Sequence, residues 1–428
     1  MKIQNFEALA TTPGRKALLS IAEAGLRAID TGVVMRGLVQ LQGTKLTLAN
    51  SEIDLGVVGR IVVIAVGKCA SEAGYVLQDI LGDRITGGVV VDVKTCPVMR
   101  HMKTFCGTHP LASTVNLEAA KAIRAALEGL SEQDLAIFVV SGGGSTLLFL
   151  PQDETDRSEL KVFSALTEAG ATIQEINTVR KHMSLVRGGF LAQYAYPARA
   201  VSLIMSDVPA NDIAFIASGP TVKDPTTIGD AERILTKYDV LRVCETERCG
   251  LIETPKDEKY FVRMTNVLAV SNIRALEAMK QAAEGLGFAA EIRDTRLVGE
   301  ANDVGTRVLQ EIGAAPARTV LLWGGETTVT VIGGGKGGRN LQASLSALRG
   351  VPDGVEILPL ASDGRDHGAF AGAICDTMTK KAAEAAGAGI DEALHANDTY
   401  PFFEKIGNYV MTGDTGSNVS DLVIALKE

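Results

Sequence analysis

The chain has 428 residues, 46% of them hydrophobic and 22% charged, with a formal net charge of −9 at pH 7. That length exceeds one ordinary core and points to two α/β domains, each with enough apolar residues to bury. The negative balance argues against a nucleic-acid partner, which needs a concentrated positive footprint, yet a few Arg and Lys can still build a pocket for a small anion. Six cysteines are scattered without a CxxC pair. The closest two, Cys244 and Cys249, have no neighbouring His to complete a zinc set, so reduced thiols are expected. No charged segment followed by an apolar run opens the chain, and no apolar run reaches the length of a membrane span. A cytoplasmic protein without a membrane partner is expected.

In chain order, Pro13 to Ile29 reads as a helix with an apolar stripe at Ala17, Leu18, Ile21, Ala24 and Ala28. Then short β-branched runs recur, each ending in a Gly, Ser, Asp or Asn loop and followed by an Ala/Leu-rich helical stretch. Residues 61–66 run into Gly67-Lys68, 135–140 into Ser141-Gly-Gly-Gly-Ser145, and 201–205 into Ser206-Asp207-Val208-Pro209. Residues 266–270 run into Ser271-Asn272, 319–323 into Gly324-Gly-Glu326, and 355–360 into Ala361-Ser-Asp363-Gly364. Continuous apolar strands alternating with helices predict parallel sheets covered on both faces, with ligands at the carboxyl ends of the strands. Charge density rises and the apolar period lapses over residues 239–262. The domain boundary is therefore placed near residue 245, giving domains 1–245 and 246–428.

The candidate chemistry sits in those strand-end loops. Three glycines between Ser141 and Ser145 let backbone N–H groups approach an anion, and phosphate binding is favoured there over a tight turn kept for geometry. No Lys-Ser/Thr follows at Walker A spacing. Lys68 can place a point charge on a phosphoryl group or carboxylate, although from its own sequence context a solvated lysine at a helix start is the favoured reading. Arg180 and Arg187 are spaced to share a helix face, either as a clamp for phosphate or carboxylate or as a solvated basic face. His182 reads as a packed or capping histidine. Asp207 fits a magnesium ligand, a catalytic carboxylate or a turn cap equally well.

Gly333, Gly335 and Gly338 satisfy G-x-G-x-x-G, with Asp363 at the next strand end, which admits an NAD(P)H-linked reductase. Lys336 and Arg339 weaken that reading, because they add formal charge to a site that normally relies on backbone. Residues 324–340 read as a hairpin lining a pocket. The Asp363–His367 and Thr412–Asn418 loops carry ordinary turn chemistry at two further strand ends.

The loops GKCASEAG, VVSGGGSTLL, INTVRKHMSLVRGG, SDVPANDIAFIASGPT, GGETTVTV, GGRNLQASLSAL, ASDGRDHGAFAGA and TGDTGSNVSDL, in this order, resemble the MOFRL-type glycerate 2-kinases, some of which are labelled hydroxypyruvate reductases. The resemblance runs over nearly the whole chain. It implies a Rossmann-like three-layer parallel-sheet domain and a smaller α/β domain with a mixed sheet, with the active site in the cleft between them. It implies ATP and Mg²⁺ as cofactors, glycerate or a related small hydroxy acid as acceptor, and 2-phosphoglycerate as product. On the matching positions Lys68 and Arg339 are catalytic, and phosphates fall to Ser141, Gly142, Gly143, Gly144 and Ser145. The strand-end loops themselves add Asp207 as a candidate catalytic carboxylate and metal ligand, Gly333, Gly335, Lys336 and Gly338 as phosphate-binding candidates, and Arg180, Arg187, Glu326, Asn340 and Asp363 as candidates for holding the acid. A homodimer is compatible with this reading. Two loops depart from the family pattern: His109-Pro110 runs on as Leu-Ala-Ser-Thr, and Asp366 is followed by His367 where glycine is usual.

Overall fold

A computed structural model describes the chain except for residues 94–96, 154–157, 208–211 and 244–246. Val208, Pro209, Cys244 and the expected boundary at Glu245 therefore lie outside the described residues. Two compact units result. One comprises Val34–Ser206 and Asn211–Ala269, the other Met1–Val33, Asp207–Ala210 and Val270–Glu428. The expected single break near residue 245 differs from this division: the chain changes unit at residues 33, 206, 210 and 269.

In the parallel-sheet unit, β1 (Val39–Gln42), β2 (Lys45–Leu48) and β3 (Ser51–Asp54) form a small antiparallel sheet. The main sheet holds β4 (Ile61–Val66), β5 (Gly87–Asp92), β6 (Lys103–Cys106), β7 (Leu135–Val140), β8 (Arg199–Met205) and β9 (Met264–Val270), in the order β6-β5-β4-β7-β8-β9. The first five in that order are parallel. Every residue of β4 and β7 is buried, which explains their unbroken Val/Ile/Leu/Phe runs. Val66 pairs with Val140, and Val140 with Ile204. That register brings the loops opening at Gly67 and Ser141 side by side.

In the mixed-sheet unit, β10 (Ala289–Leu297), β11 (Thr319–Gly325), β12 (Val355–Ala361), β13 (Gly372–Ala373), β14 (Tyr409–Val410) and β15 (Asp421–Lys427) are ordered β10-β11-β15-β12-β13-β14. β10 and β11 are parallel, while β15 inserts antiparallel between β11 and β12. Asp421 pairs with Gly325 on one side and Ala361 on the other. The amino end of β15 thus lies among the carboxyl ends of β11 and β12. Trp323, Leu341, Leu345, Ile357, Phe403 and Val423 belong to the core beneath.

The predicted N-terminal helix forms over Pro13–Ala28, with Pro13 in its first turn and the Thr12 side chain accepting from Arg15 N. Its stripe finds a partner in the helix Asn272–Gly285, so the first 33 residues fold with the C-terminal part of the chain. The helices meet at Gly25, where a Cβ would lie 2.6 Å from Met279 Cγ and Sδ. Arg15 is buried, and its guanidinium donates to both oxygens of Asp376 at 2.6 and 2.8 Å, to Thr379 Oγ1 at 3.0 Å and to Asn408 Oδ1 at 2.8 Å. Asp376 in turn caps the helix Thr377–Ala385. Cys69, Cys106 and Cys375 are not disulfide-bonded, but Cys249 is, so reduced thiols throughout do not hold. Among the described residues no helix is long and apolar enough to cross a membrane.

Removing one partner of a buried ion pair strands the other charge. Arg15→Met is expected to destabilise the protein by about 3–5 kcal/mol in urea unfolding. A loss below about 1 kcal/mol would show that Asp376 is satisfied without Arg15.

Candidate functional site

The loops after β4 and β7 are zipped together. Ser141 N donates to Val66 O at 2.9 Å and Lys68 N to Gly142 O at 3.0 Å. Gly67 has φ 122°, and a Cβ there would lie 2.1 Å from Ser141 Oγ, so only glycine lets the strands' ends approach. The contact delivers half-buried Lys68 to Gly143. A Cβ on Gly143 would meet Lys68 Cγ at 3.4 Å and His109 Cδ2 at 3.5 Å. Ser145 Oγ lies 2.9 Å from Ser218 Oγ, which donates to Asn177 Oδ1 at 3.2 Å. Ala217 and Ser218 hold φ of 51° and 60°. Two adjacent non-glycine residues in left-handed backbone store strain beside the glycine loop.

Arg180 and Arg187 do come together, but not on one helix face. The helix Ile173–Lys181 ends before Arg187, and Glu159 collects both guanidiniums instead. Its Oε1 is 3.1 Å from Arg180 Nε and 2.7 Å from Arg187 Nη1. Arg187 is fully buried, and burial pushes its guanidinium down to about 10 although Glu159 opposes the change. Arg187 is thus buried against Glu159 with its Nε and Nη2 unpaired among the described residues, while Arg180 is the partly exposed arginine of the two. His182 is packed as expected, its ring meeting Ile252 O at 2.8 Å and Thr226 Oγ1 at 3.3 Å.

In the mixed-sheet unit, Arg339 opens the helix Arg339–Leu348. Its Nε and Nη2 donate to Asp421 Oδ2 and Oδ1 at 2.9 and 3.0 Å, and its Nη1 to Glu326 Oε1 at 2.8 Å. Asn340 Nδ2 reaches Asp421 Oδ1 at 2.8 Å and Asp366 Oδ1 at 3.3 Å. Asp366 Oδ2 accepts from Leu341 N at 2.8 Å, so this carboxylate caps the helix. Burial opposes the charge of Arg339, but Asp421 and Glu326 outweigh it and push the guanidinium up. Burial raises the Glu326 carboxyl; Arg339 opposes this, while Asp421 and Asp207 add to it. Asp207 belongs to this unit, and its carbonyl accepts from Ser420 Oγ at 2.8 Å. Asp366 is pushed up to about 6, by burial first and by Asp421 as well.

These groups border a pocket of about 580 Å³ lined by, among others, Glu326, Lys336, Arg339, Gln342, His367 and Asn397. His367 holds φ 55° where it lines this space. Residues 326–338 line it as an irregular loop, not the expected hairpin. The glycine run is also explained differently from the dinucleotide fingerprint. Cβ atoms at Gly333 and Gly335 would lie 2.2 and 2.5 Å from Ala396 O, and one at Gly338 would lie 2.2 Å from Asp366 Cγ. The N–H groups of Gly333, Gly335 and Lys336 are taken by Asn397 Oδ1, Ala396 O and Asp398 Oδ1. The start of the next helix is occupied by Asp366, where a dinucleotide fold would offer it to pyrophosphate. Lys336 Nζ sits 4.1 Å from the Tyr400 ring centroid. Asp363 accepts from Arg365 N at 3.0 Å, which is turn chemistry, and its carbonyl accepts from Thr415 N.

Glu159 and Asp421 escaped the sequence reading, in which His109 and Asp366 appear only as departures from the family pattern, without a role. Asp421 starts a strand, whereas the polar signals legible in the sequence lie past strand ends. Among the described residues no group of three or more His, Cys, Asp or Glu side chains is placed to hold a metal ion.

Two family models match the chain: one described as a domain of unknown function (DUF4147) over residues 17–248, and the MOFRL family over residues 319–421. The chain is similar to a glycerate 2-kinase of Pyrococcus horikoshii, 36% identical across 95% of this chain and 98% of that protein. It is also similar to a putative hydroxypyruvate reductase of Agrobacterium vitis, 38% identical across 85% and 86% of the two. Its structure resembles that of a Thermotoga maritima glycerate kinase with a TM-score of 0.84 at 30% identity, covering 96% of this chain and 99% of that one.

Asp366 ordinarily titrates at 3.8 and is raised to about 6 in the fold. Its stabilising contribution is full below 3.8 and lost as pH rises through about 6. Urea unfolding of the wild type and Asp366→Asn across that window should show a shallower decline for the variant. Identical slopes would mean the carboxyl ionises without penalty.

Proposed function

We propose that this chain, which belongs to the glycerate 2-kinase family carrying the MOFRL domain, transfers the γ-phosphoryl group of ATP to the 2-hydroxyl of glycerate, giving 2-phosphoglycerate. One observation carries the reading: Arg339 is clamped by Asp421 and Glu326 at a pocket that also presents Lys336. An arginine oriented on two sides is ready for a phosphate oxygen without further reorganisation. Three of its N–H groups hold the carboxylates, and the remainder are available to a ligand.

Lys68 in the parallel-sheet unit and Arg339 in the mixed-sheet unit each supply positive charge for phosphate oxygens, so the protein contributes mainly position and electrostatics. Backbone around Gly142–Ser145 cradles nucleotide phosphate, and Arg180 meets a carboxylate. The carboxylates of Asp207 and Glu326 suit magnesium, which needs only one or two protein carboxylates beside phosphate oxygens. The mutual repulsion that raises Glu326 is what a bound cation would relieve. When bound, Mg²⁺ neutralises charge on the nucleotide's phosphate oxygens. A hydroxypyruvate reductase is not favoured, because the N–H groups its nucleotide would need are already spent on the protein's own acceptors.

Incubation with glycerate and ATP–Mg²⁺, followed by phosphorus NMR, is expected to show 2-phosphoglycerate and ADP. NADH oxidation by hydroxypyruvate without ADP release would sink the kinase reading. Lys68→Ala should fold normally and lose roughly 10²–10³ in kcat, by analogy with removing one oxyanion donor. Near-normal turnover would mark Lys68 as a surface lysine.

A further inference from the structure

A hydroxyl that bonds to phosphorus must lose its proton, and the cations Lys68, Arg180 and Arg339 have no lone pair to receive it. Beside Gly143 the parallel-sheet unit offers a group that does. The His109 ring approaches Gly143 from the same side as the Lys68 stem, at 3.5 Å and 3.4 Å from the position a Cβ would occupy. Among the described residues neither ring nitrogen of His109 has a hydrogen-bond partner, and the residue is exposed.

The backbone behind this ring is fixed. Fully buried Asn116 donates to Thr108 O and Thr146 O, each at 3.0 Å, and accepts from Thr108 N at 2.9 Å. Thr146 Oγ1 donates to Pro110 O at 3.2 Å. Both chain neighbours of His109 are therefore tied, directly or through Asn116, to the segment that carries the glycine loop. Gly107 allows the approach, since a Cβ there would lie 2.4 Å from Leu147 Cδ2. Holding an exposed imidazole by its backbone alone leaves its nitrogens free for a ligand.

We propose that His109 is a catalytic residue, the base that receives the proton of the acceptor hydroxyl as its oxygen attacks the γ-phosphorus. This rests on the kinase reading above. The hydroxyl O–H bond breaks toward a ring nitrogen as the O–P bond forms. The bond from phosphorus to the bridging oxygen breaks, and its electron pair leaves with ADP. The imidazolium then returns its proton to solvent. The residue as a whole is exposed, but partial burial of the ring beside the glycine loop, and then the charges of Lys68 and Arg180, hold it below its ordinary value of 6.5, which favours the neutral base.

The test measures kcat and KM against pH for the full chain with ATP–Mg²⁺ and glycerate, in the wild type, His109→Gln and His109→Gly. The expected loss in kcat is roughly 10²–10⁴-fold, with KM for both substrates nearly unchanged. Wild-type kcat should fall as pH drops below 6.5, and His109→Gln should lack that acid limb. Added imidazole should restore His109→Gly in proportion to its unprotonated fraction. A His109→Gln enzyme that folds and keeps wild-type kcat, or keeps the acid limb, overturns the proposal. If that variant misfolds, rescue of His109→Gly decides, and rescue that ignores the protonation of imidazole counts against the base. A wild type that makes no phosphoglycerate would instead overturn the kinase reading itself.

Discussion

Asp421 stands at the first residue of β15, between Gly325 and Ala361, with its carboxylate almost wholly removed from water. A charge in that position must be answered by donors from its surroundings. Arg339 answers with two N–H groups and Asn340 with its amide, while Thr327 N approaches at 3.3 Å. Meeting that one carboxylate fixes the first turn of the helix after the glycine run, the loop after β11 and, through Arg339, the orientation of Glu326. Asp366 completes the arrangement by capping the same helix and sharing Asn340. The pocket's polarity follows from a strand that enters its sheet backwards.

The parallel-sheet unit reaches a charged site by other means. Its order comes from close backbone approach, with Gly67 against Ser141 and Gly144 against Ala217, and from left-handed residues held beside the loop. Few formal charges are needed to hold this loop, so Lys68 and Arg180 remain partly exposed, while the fully buried Arg187 pairs with Glu159 through Nη1 alone. Ala217 and Ser218 beside the glycine loop and His367 and Asn397 at the pocket hold left-handed backbone, as do Ala49, Asp239 and Arg318 elsewhere among the described residues.

All six apolar runs singled out by pattern are strands; five are buried almost throughout, which leaves a continuous apolar composition, while β9 is half-exposed along most of its length. The N-terminal helix was equally legible, since Pro13 and Thr12 start it and its stripe has a helical period. Direction was not legible. The run Asp421–Lys427 carries no signal of entering antiparallel, and the rule that function gathers past strand ends therefore overlooked its opening aspartate. Glu159 was hidden for a related reason: one carboxylate shared by Arg180 and Arg187 depends on tertiary contact, while spacing alone suggested a common helix face. The glycine fingerprint at 333–338 misled because glycine is demanded as strongly by a neighbouring backbone, here Ala396, as by a pyrophosphate.

The helix Pro13–Ala28 packs on Asn272–Gly285, roughly 240 residues further along the chain. At typical synthesis rates of about 5–20 residues per second, its apolar stripe leaves the ribosome roughly 12–50 seconds before its partner exists. During that interval Leu18, Ile21 and Leu26 have no native surface to cover them, and the Arg15 charge has no Asp376. The nascent chain thus carries this apolar stripe uncovered until its partner helix is made. The mixed-sheet unit closes only when the last part of the chain arrives to join the first.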